Sequence, residues 1–224
     1  MSPSDSNYLE YLKGKNLPIV CGSCPGNTYY YKEENMAKML AFADQNAEKV
    51  LVIIPTVPYI HNYIAVGRSK PEKIARKETR KLVTLAQKVM EDLDIDQKKF
   101  HFVDWKAEIE TSVAYKNKLT EVLRLYETCS EFKQDAEILT KDVLMSIVQS
   151  LDRPSNSPVE VDTQEGVKFL LKELAFDMAI PEIYKGFEEY IDVYHEPGDK
   201  FFRSFYSGRY DGKVKTFRNE VVVN

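Results

Sequence analysis

The segment LPIVCGSCPGN, residues 17–27, joins an apolar run to a turn rich in glycine, proline and asparagine. The run Leu17–Cys21 predicts a buried strand. The spacing of apolar residues in Glu33–Gln45 predicts a helix after the turn. A strand, a turn and a helix in this order place CGSCPGN at the carboxyl end of a strand, where α/β folds carry much of their chemistry. We therefore expect the fold and the functional site to meet at this turn.

Similar patterns continue along the chain. The other predicted strands are Val50–Ile54, Phe100–Val103, Glu189–His195 and Glu220–Val223. The other predicted helices are Pro71–Leu93, Ser112–Cys129, Ser130–Ser150 and Thr163–Phe176, and the predicted loops are Pro55–Tyr63 and Asp152–Pro158. Strands that alternate with helices predict an α/β fold with a parallel sheet and flanking helices. We expect residues 1–224 to form one domain.

The composition is ordinary for a globular protein, with 224 residues, a formal net charge of −4 and 43% hydrophobic residues. No apolar run approaches the roughly 20 residues that a membrane helix needs. The first residues have neither the basic start nor the apolar core of a secretory signal. Three cysteines do not make a disulfide framework, so we expect a reducing, cytoplasmic location.

The spacing of Cys21 and Cys24 allows three interpretations. A thioredoxin-like redox pair is one, because a helix N-terminus lowers a thiol pKa, but Pro25 and Gly26 delay the helix here. A zinc site needs about four ligands, and Cys129 with three histidines offers no further pair at ligand spacing. The third is that small cysteines simply pack at a strand end. This suits Cys21 better than Cys24, which lies inside a turn whose backbone amides can converge on a reactant.

Three segments together resemble the tRNA-dependent cyclodipeptide synthases. Residues 22–29, GSCPGNTY, are similar to the Gly-x-Ser-x-Gly-Asn-Ser/Thr-Tyr segment of that family. Residues 169–173, FLLKE, are similar to its Tyr-x-x-x-Glu helix segment, and Tyr194 with His195 resembles its Tyr-His pair. Asn27, Tyr194 and His195 fit the subfamily named for an Asn, a Tyr and a His at these places. The resemblance covers nearly the whole chain.

This resemblance implies a Rossmann-like fold similar to the catalytic domains of class I tyrosyl- and tryptophanyl-tRNA synthetases, without their ATP-binding signatures. It implies an enzyme whose partners are two aminoacyl-tRNAs, used in turn. A nucleophile takes the first aminoacyl group, the second aminoacyl group is joined to it, and the dipeptidyl-enzyme cyclises to a diketopiperazine. No metal, nucleotide or other cofactor is implied.

Two residues depart from the pattern of the family. Cys24 falls on the nucleophilic serine, and a thiol can perform the same acyl transfer through a thioester. Ser23 is an alternative nucleophile, but it is out of register by one residue. Phe169 stands where the family has a tyrosine, so the hydroxyl that helps to hold the amino group of the substrate is missing. That task passes to Glu173 or to another tyrosine.

The resemblance assigns roles to the remaining site residues. Glu173 is expected to bind the α-ammonium group and later to accept its proton. Tyr194 is expected to orient the nucleophile or to bind the carbonyl group, and His195 to position its neighbours. Asn27 and the turn amides are expected to hold the turn and to bind substrate. The walls of the aminoacyl pocket are expected to include Val20, Gly22, Ile53 and Tyr59.

A basic segment is independent of these motifs. Residues 68–81 carry seven positive and two negative charges, a net of +5 in an acidic chain. Lys73, Arg76, Lys77 and Arg80 share one helix face by their spacing, opposite the apolar stripe. Such a face is often only solvated, but its concentration on one helix predicts a tRNA phosphate-binding surface. The predicted tRNA-binding residues are Lys70, Lys73, Arg76, Lys77, Arg80 and Lys81.

Two alternative functions stay open at this point. A non-catalytic tRNA- or RNA-binding module on the same fold is favoured by the cysteine at 24 and the phenylalanine at 169. A thiol oxidoreductase would use Cys21 together with Cys24. Replacing Cys21 with alanine separates the oxidoreductase from the acyl transferase, because redox chemistry needs both thiols and acyl transfer needs only Cys24.

Overall fold

The computed structural model describes residues 15–150, 160–194, 200–210 and 218–223. Within these residues, the strands form one parallel sheet in the order β3-β2-β1-β4-β5. The strands are β1 (Ile19–Gly22), β2 (Val50–Ile53), β3 (Phe100–Phe102), β4 (Tyr190–Tyr194) and β5 (Arg218–Val222). Because all of them run in one direction, their carboxyl ends lie at one edge of the sheet. The CGSCPGN turn follows the central strand at that edge.

Helices cover both faces of the sheet. They are α1 (Glu33–Asn46), α2 (Thr56–Ala65), α3 (Pro71–Asp92), α4 (Val113–Thr128), α5 (Ser130–Ser150), α6 (Thr163–Ile183) and α7 (Lys200–Tyr206). A 3-10 helix at Thr28–Tyr31 and a π-helix at Trp105–Ile109 add short irregular turns. In the described part of the chain, no helix is both long and apolar enough to cross a membrane.

Successive strand residues face opposite sides of the sheet, and both sides are buried. Val20, Leu51 and Ile53 pack on one side with apolar residues of α4, α5 and α6. Ile19 and Cys21 pack on the other side with apolar residues of α1 and α3. Burial on both faces explains why the strands read as continuous apolar runs. It also places α6 above the end of β1 that carries the turn.

The predicted loop at Pro55–Tyr63 is wrong, because Thr56–Ala65 forms helix α2. Pro58 lies in the first turn of this helix, where a missing N–H loses no helical hydrogen bond. Tyr59 and Tyr63, one turn apart, are buried and pack with Phe169 of α6 in one apolar cluster. The proline and the aromatic residues therefore form the start and the buried face of a helix.

The other predicted elements in the described ranges are present with small shifts at their ends. Helix α6 continues past the predicted end at Phe176 as far as Ile183, with Pro181 in its last turn. Helix α7 is an addition to the predicted elements. The predicted loop at Asp152–Pro158 and the residue His195 lie outside the described residues.

Candidate active site

The turn after β1 is closed by backbone hydrogen bonds. The Ser23 N–H donates to the Ile53 carbonyl at 2.9 Å, and the Asn27 N–H donates to the Cys24 carbonyl at 3.2 Å. The Asn27 side-chain oxygen accepts from the Tyr29 N–H at 3.0 Å and so caps the 3-10 helix. Cys24 is thus the first residue of a tight turn at the carboxyl edge of the sheet.

Gly26 allows this turn to pack against α2. Its φ of +94° is in the region that favours glycine, and a Cβ atom there would lie 2.9 Å from the Tyr59 hydroxyl. Its N–H donates to the Tyr31 hydroxyl oxygen at 3.3 Å. The expectation that the turn amides bind substrate stays a prediction for the other amides of the turn. The N–H groups of Gly26 and Asn27 already bind acceptors within the protein.

The thiol of Cys24 lies in a partly buried and negatively charged environment. Its pKa is raised well above the ordinary value by burial, then by the negative charges of Glu173 and Asp177. A raised pKa means that the thiol is protonated near neutral pH while the site is empty. Cys24 also contacts the apolar clusters on both sides of the turn.

The neighbouring residues of the turn are poorly placed for chemistry. Cys21 is 0% exposed, and burial followed by the charge of Asp192 raises its pKa. The two thiols are not joined in a disulfide bond. Ser23 is 1% exposed, and its hydroxyl has no hydrogen-bond partner among the described residues. These properties disfavour a redox pair and make Ser23 a poor nucleophile, since both reactions need an accessible group.

Helix α6 presents a stripe of three residues to the turn. Phe169, Glu173 and Asp177 are four residues apart, so they share one helix face. The Phe169 ring packs edge-on against Tyr59 at a centroid distance of 5.3 Å. The charge of Glu173 contributes to the raised pKa values of Cys24 and Tyr59. The structure therefore brings Cys24, Phe169, Glu173 and Tyr59 together.

Sequence reasoning did not single out two buried aspartates, one in this stripe and one in β4. Asp177 is 8% exposed and accepts a hydrogen bond from the Tyr206 hydroxyl of α7. Asp192, in the middle of β4, is 3% exposed. Each is a single acidic residue inside an apolar run, LAFDMAI in α6 and YIDVY in β4. That break in the apolar pattern was the signal that could have identified them.

The predicted pocket walls occupy two parts of the site. Val20 and Ile53 are buried on the α6 side of the sheet, whereas Tyr59 belongs to the cluster under α2. A Cβ atom built on Gly22 would meet no atom within 4 Å, so Gly22 borders open space.

Tyr194 ends β4 and is half-buried, and its carbonyl accepts from the Val223 N–H at 2.9 Å. No three of the described His, Cys, Asp and Glu side chains converge as metal ligands.

The basic segment lies on helix α3. Lys73, Arg76, Lys77 and Arg80 are exposed, and none of the four forms an ion pair with another described residue. The buried stripe of the helix, which includes Leu82, lies on its other side. The remaining predicted residues differ. Lys81 pairs with Glu78 at 2.8 Å, and Lys70 is the N-cap residue of the helix with a positive φ.

A chain of polar contacts connects the turn to this helix. The Tyr31 hydroxyl accepts from the Gly26 N–H and donates to the Glu78 carboxylate of α3. Glu78 also accepts from Lys81, which lies beside the exposed basic face. The position of the turn is therefore coupled directly to the position of the basic helix.

The model of the protein family described as cyclodipeptide synthase matches residues 14–220 of the chain. The chain belongs to the cyclodipeptide synthase family. This confirms the resemblance noted in the sequence, and it makes the protein a member of a family of tRNA-dependent aminoacyltransferases. No curated protein sequence matches the chain significantly.

Solved structures of cyclodipeptide synthases share the fold. One from Bacillus thermoamylovorans is 17% identical, with a TM-score of 0.78 over 98% of this chain and 93% of that chain. One from Candidatus Glomeribacter gigasporarum, bound to Phe-tRNAPhe, is 17% identical, with a TM-score of 0.64 over 98% and 92%. A Mycobacterium tuberculosis protein is 16% identical, with a TM-score of 0.67 over 94% and 84%. Its structure is described as demonstrating that cyclodipeptide synthetases are related to type I tRNA synthetases.

Proposed function

We propose that this protein joins the aminoacyl groups of two aminoacyl-tRNAs into a cyclic dipeptide, with Cys24 as the covalent nucleophile. One observation carries the proposal: Cys24, which the resemblance aligns with the family's serine, lies in a turn that packs against α2 and is affected by the negative charge of Glu173. Family membership and a related structure bound to Phe-tRNAPhe support the choice of substrate.

In the first step, the Cys24 sulfur attacks the ester carbonyl carbon of an aminoacyl-tRNA. The C–O bond to the terminal ribose breaks, a thioester forms, and the thiol proton ends on the released ribose hydroxyl. The α-ammonium group of the aminoacyl moiety pairs with Glu173. This pairing neutralises one of the negative charges that raise the pKa of Cys24. Substrate binding therefore makes the thiol a better nucleophile at the moment when it is needed.

Tyr59 provides the hydroxyl that Phe169 lacks. The two rings are in contact, and the Tyr59 hydroxyl lies close to Gly26 in the turn. Burial, followed by the negative charge of Cys24 in its thiolate form, contributes most to its raised pKa, so it stays a neutral hydrogen-bond donor and acceptor. A buried neutral hydroxyl within electrostatic reach of both Cys24 and Glu173 is suited to binding the amino group or the carbonyl group of the substrate.

Two further transfers complete the product. Glu173 accepts a proton from the α-ammonium group of the aminoacyl-enzyme, and the free amine attacks the ester of the second aminoacyl-tRNA. A peptide bond forms and the second tRNA leaves with a hydroxyl proton. Glu173 releases its proton to solvent and accepts one from the new terminal ammonium group. The resulting amine attacks the thioester carbonyl, which closes the six-membered ring, and its second proton passes to the leaving sulfur and restores the thiol of Cys24.

The exposed face of α3 is assigned to the phosphates of the tRNA. Lys73, Arg76, Lys77 and Arg80 point to solvent without ion pairs to other described residues, so their charge is available to a polyanion.

We assign residues 1–224 to a single catalytic domain, because one sheet takes strands from both ends of the described range. We place the reaction in the cytoplasm, where charged tRNAs are present.

The proposal is tested by expression in a bacterial host. The culture medium is searched by mass spectrometry for cyclic dipeptides, with Cys24→Ala and Cys21→Ala as a matched pair. We expect a diketopiperazine from the parent protein and from Cys21→Ala, and none from Cys24→Ala. A product from Cys24→Ala would contradict the assigned nucleophile. Intact tRNA binding without any product would favour a non-catalytic binding module.

A further inference from the structure

The Tyr31 hydroxyl holds the turn that carries Cys24 but takes no part in the steps above. Tyr31 ends the 3-10 helix that follows the turn, and its hydroxyl oxygen accepts from the Gly26 N–H at 3.3 Å. The next residue, Asn27, donates its N–H to the Cys24 carbonyl. Tyr31 therefore binds the turn close to the backbone of the proposed nucleophile.

The same hydroxyl also faces Glu78 of helix α3. It donates to the Glu78 carboxylate, because an ionised carboxylate can only accept hydrogen bonds. Its oxygen is left to accept from Gly26, so the chain has one direction, from Gly26 through Tyr31 to Glu78. Hydrogen bonds in such a chain polarise one another. A stronger bond between Tyr31 and Glu78 therefore strengthens the bond between Gly26 and Tyr31.

Two further observations place Glu78 beside the turn. Thr79, the next residue of α3, shares a 2.8 Å hydrogen bond between its hydroxyl and that of Thr56 at the start of α2. Burial, followed by the charge of Glu78, raises the pKa of Tyr63 to about 12. The Tyr63 hydroxyl would lie 3.3 Å from a Cβ atom built on Gly26. Glu78 thus lies where α2, α3 and the turn meet.

Glu78 has a second partner, Lys81, beside the face of α3 that is assigned to tRNA. The Lys81 ammonium group donates to both carboxylate oxygens, at 2.8 and 3.0 Å. The Lys81 side chain is 50% exposed and that of Glu78 is 19% exposed. A pair with an exposed lysine is weak, so a tRNA phosphate can take the lysine while Glu78 stays next to Tyr31.

Lys81 and Tyr31 compete for the same carboxylate. The positive charge of Lys81 reduces the attraction of Glu78 for the Tyr31 proton. A phosphate that binds Lys81 removes this competition, and the bond from Tyr31 to Glu78 becomes stronger. The hydrogen bond from Gly26 is strengthened with it, which restricts the motion of the turn.

We propose that Glu78 and Tyr31 form a positioning relay, through which a tRNA phosphate bound at Lys81 fixes the turn that carries Cys24. This inference rests on the proposed function and adds a link between tRNA binding and acyl transfer. Neither residue touches the reacting atoms, so both act through the backbone of the turn. Cys24 would therefore react faster with an ester whose tRNA body is bound than with a short aminoacyl ester.

A short substrate separates the relay from tRNA binding itself. It is the aminoacyl ester of adenosine, made with the amino acid that the parent protein takes up from a mixture of charged bacterial tRNAs. Formation of the aminoacyl-enzyme is followed in single turnovers by acid quench and intact-protein mass spectrometry. The rate constant of such a time course does not depend on how much of each variant is folded.

Lys81→Ala is made in three backgrounds, the parent protein, Tyr31→Phe and Glu78→Gln. In the parent background it frees the Glu78 carboxylate in the absence of tRNA. In the other two backgrounds, either the hydroxyl that responds or the charge that attracts it is missing. The control Lys88→Ala removes another exposed cation of α3, one that pairs with residues other than Glu78.

We expect Lys81→Ala to react with the short ester at least about threefold faster than the parent protein, a gain of the size that coupled neighbouring side chains commonly show. The gain should be absent in the Tyr31→Phe and Glu78→Gln backgrounds and in Lys88→Ala. A rate in Lys81→Ala that is unchanged or lower, or an equal gain in Lys88→Ala or in the Tyr31→Phe background, would overturn the relay and leave the proposed function intact. The absence of aminoacyl-enzyme from charged tRNA in every protein would contradict the proposed function and the inference together.

Discussion

At the scale of single residues, the surroundings of Cys24, the proposed nucleophile, favour its protonated thiol. Burial and the charges of Glu173 and Asp177 all raise the pKa of the Cys24 thiol. A thiol that is protonated until substrate arrives is protected from oxidation and alkylation. In the proposed function, the α-ammonium group of the aminoacyl group removes this protection, because it neutralises the charge of Glu173.

Glu173→Gln is predicted to make Cys24 more reactive and the enzyme inactive. The substitution removes a negative charge that raises the thiol pKa, so the pKa falls and the thiolate fraction at a given pH below that pKa increases. Alkylation of Cys24 by iodoacetamide should therefore be faster at pH 7–8, whereas cyclic dipeptide formation should be lost. Peptide mapping by mass spectrometry measures both cysteines in one sample.

Cys129 is the internal control for that measurement, because it is half-buried and lies away from the site. Its alkylation rate should be the same in both proteins. An equal or slower rate at Cys24 in Glu173→Gln would contradict the electrostatic account of the site.

Two glycines of the same turn are predicted to differ in their tolerance of alanine. Gly26→Ala places a Cβ atom 2.9 Å from the Tyr59 hydroxyl at a φ of +94°, so we expect a loss of roughly 1–3 kcal/mol in the free energy of unfolding. Gly22→Ala meets no atom within 4 Å, and its effect on stability should stay within about 0.5 kcal/mol. Urea unfolding of both variants gives the comparison. Equal losses would mean that the turn is not packed against α2 as described.

At the scale of elements, helix α3 serves the site in two ways. Its buried stripe packs on the sheet, and its exposed face carries the cations assigned to tRNA. Between them, Glu78 connects Lys81 to the Tyr31 hydroxyl that accepts from Gly26. These contacts connect the basic face of α3, the proposed tRNA-binding surface, to the turn that carries Cys24.

Arg76→Ala with Lys77→Ala is predicted to weaken tRNA binding and to reduce its dependence on salt. For each phosphate that the protein no longer neutralises, the slope of log affinity against log salt should fall by roughly 0.7–0.9. Filter binding of a charged tRNA between low and moderate salt measures the slope. The control pair, Lys116→Ala with Arg124→Ala, removes the same charge from the exposed side of α4. A fall of equal size in both double variants would indicate an effect of net charge alone.

The apolar pattern of the sequence predicted the strands and most helices correctly. It did not show how prolines or acidic residues that interrupt the pattern are placed in the fold. Continuous apolar runs identified the strands, because a parallel sheet is buried on both faces. The prolines of residues 55–63 suggested a loop, although a proline in the first turn is compatible with the helix found there. The sequence shows Asp177 and Asp192 as acidic residues within apolar runs, but only the packing of α6 and β4 in the fold shows that both are buried.

At the scale of the whole molecule, the site is assembled by the order of the strands. β4 returns from the far end of the sequence to lie beside β1, so Tyr194 and Asp192 approach the turn that follows residue 22. The motifs and their order along the chain indicated the family, which the family model confirms, and they supplied the site residues that stay predictions. The strand order and the pairing of Asp192 with Val20 could not be read in this way, because both depend on contacts between residues more than 150 positions apart.

The most direct test of the account is the covalent intermediate itself. The protein is incubated with one charged tRNA, quenched in acid and digested, and the aminoacylated peptide is located by mass spectrometry. We predict an aminoacyl group on Cys24 that neutral hydroxylamine removes, as expected for a thioester, and no such adduct in Cys24→Ala. An adduct on Ser23, or cyclic dipeptide formation that persists in Cys24→Ala, would contradict the assignment of Cys24 as the nucleophile.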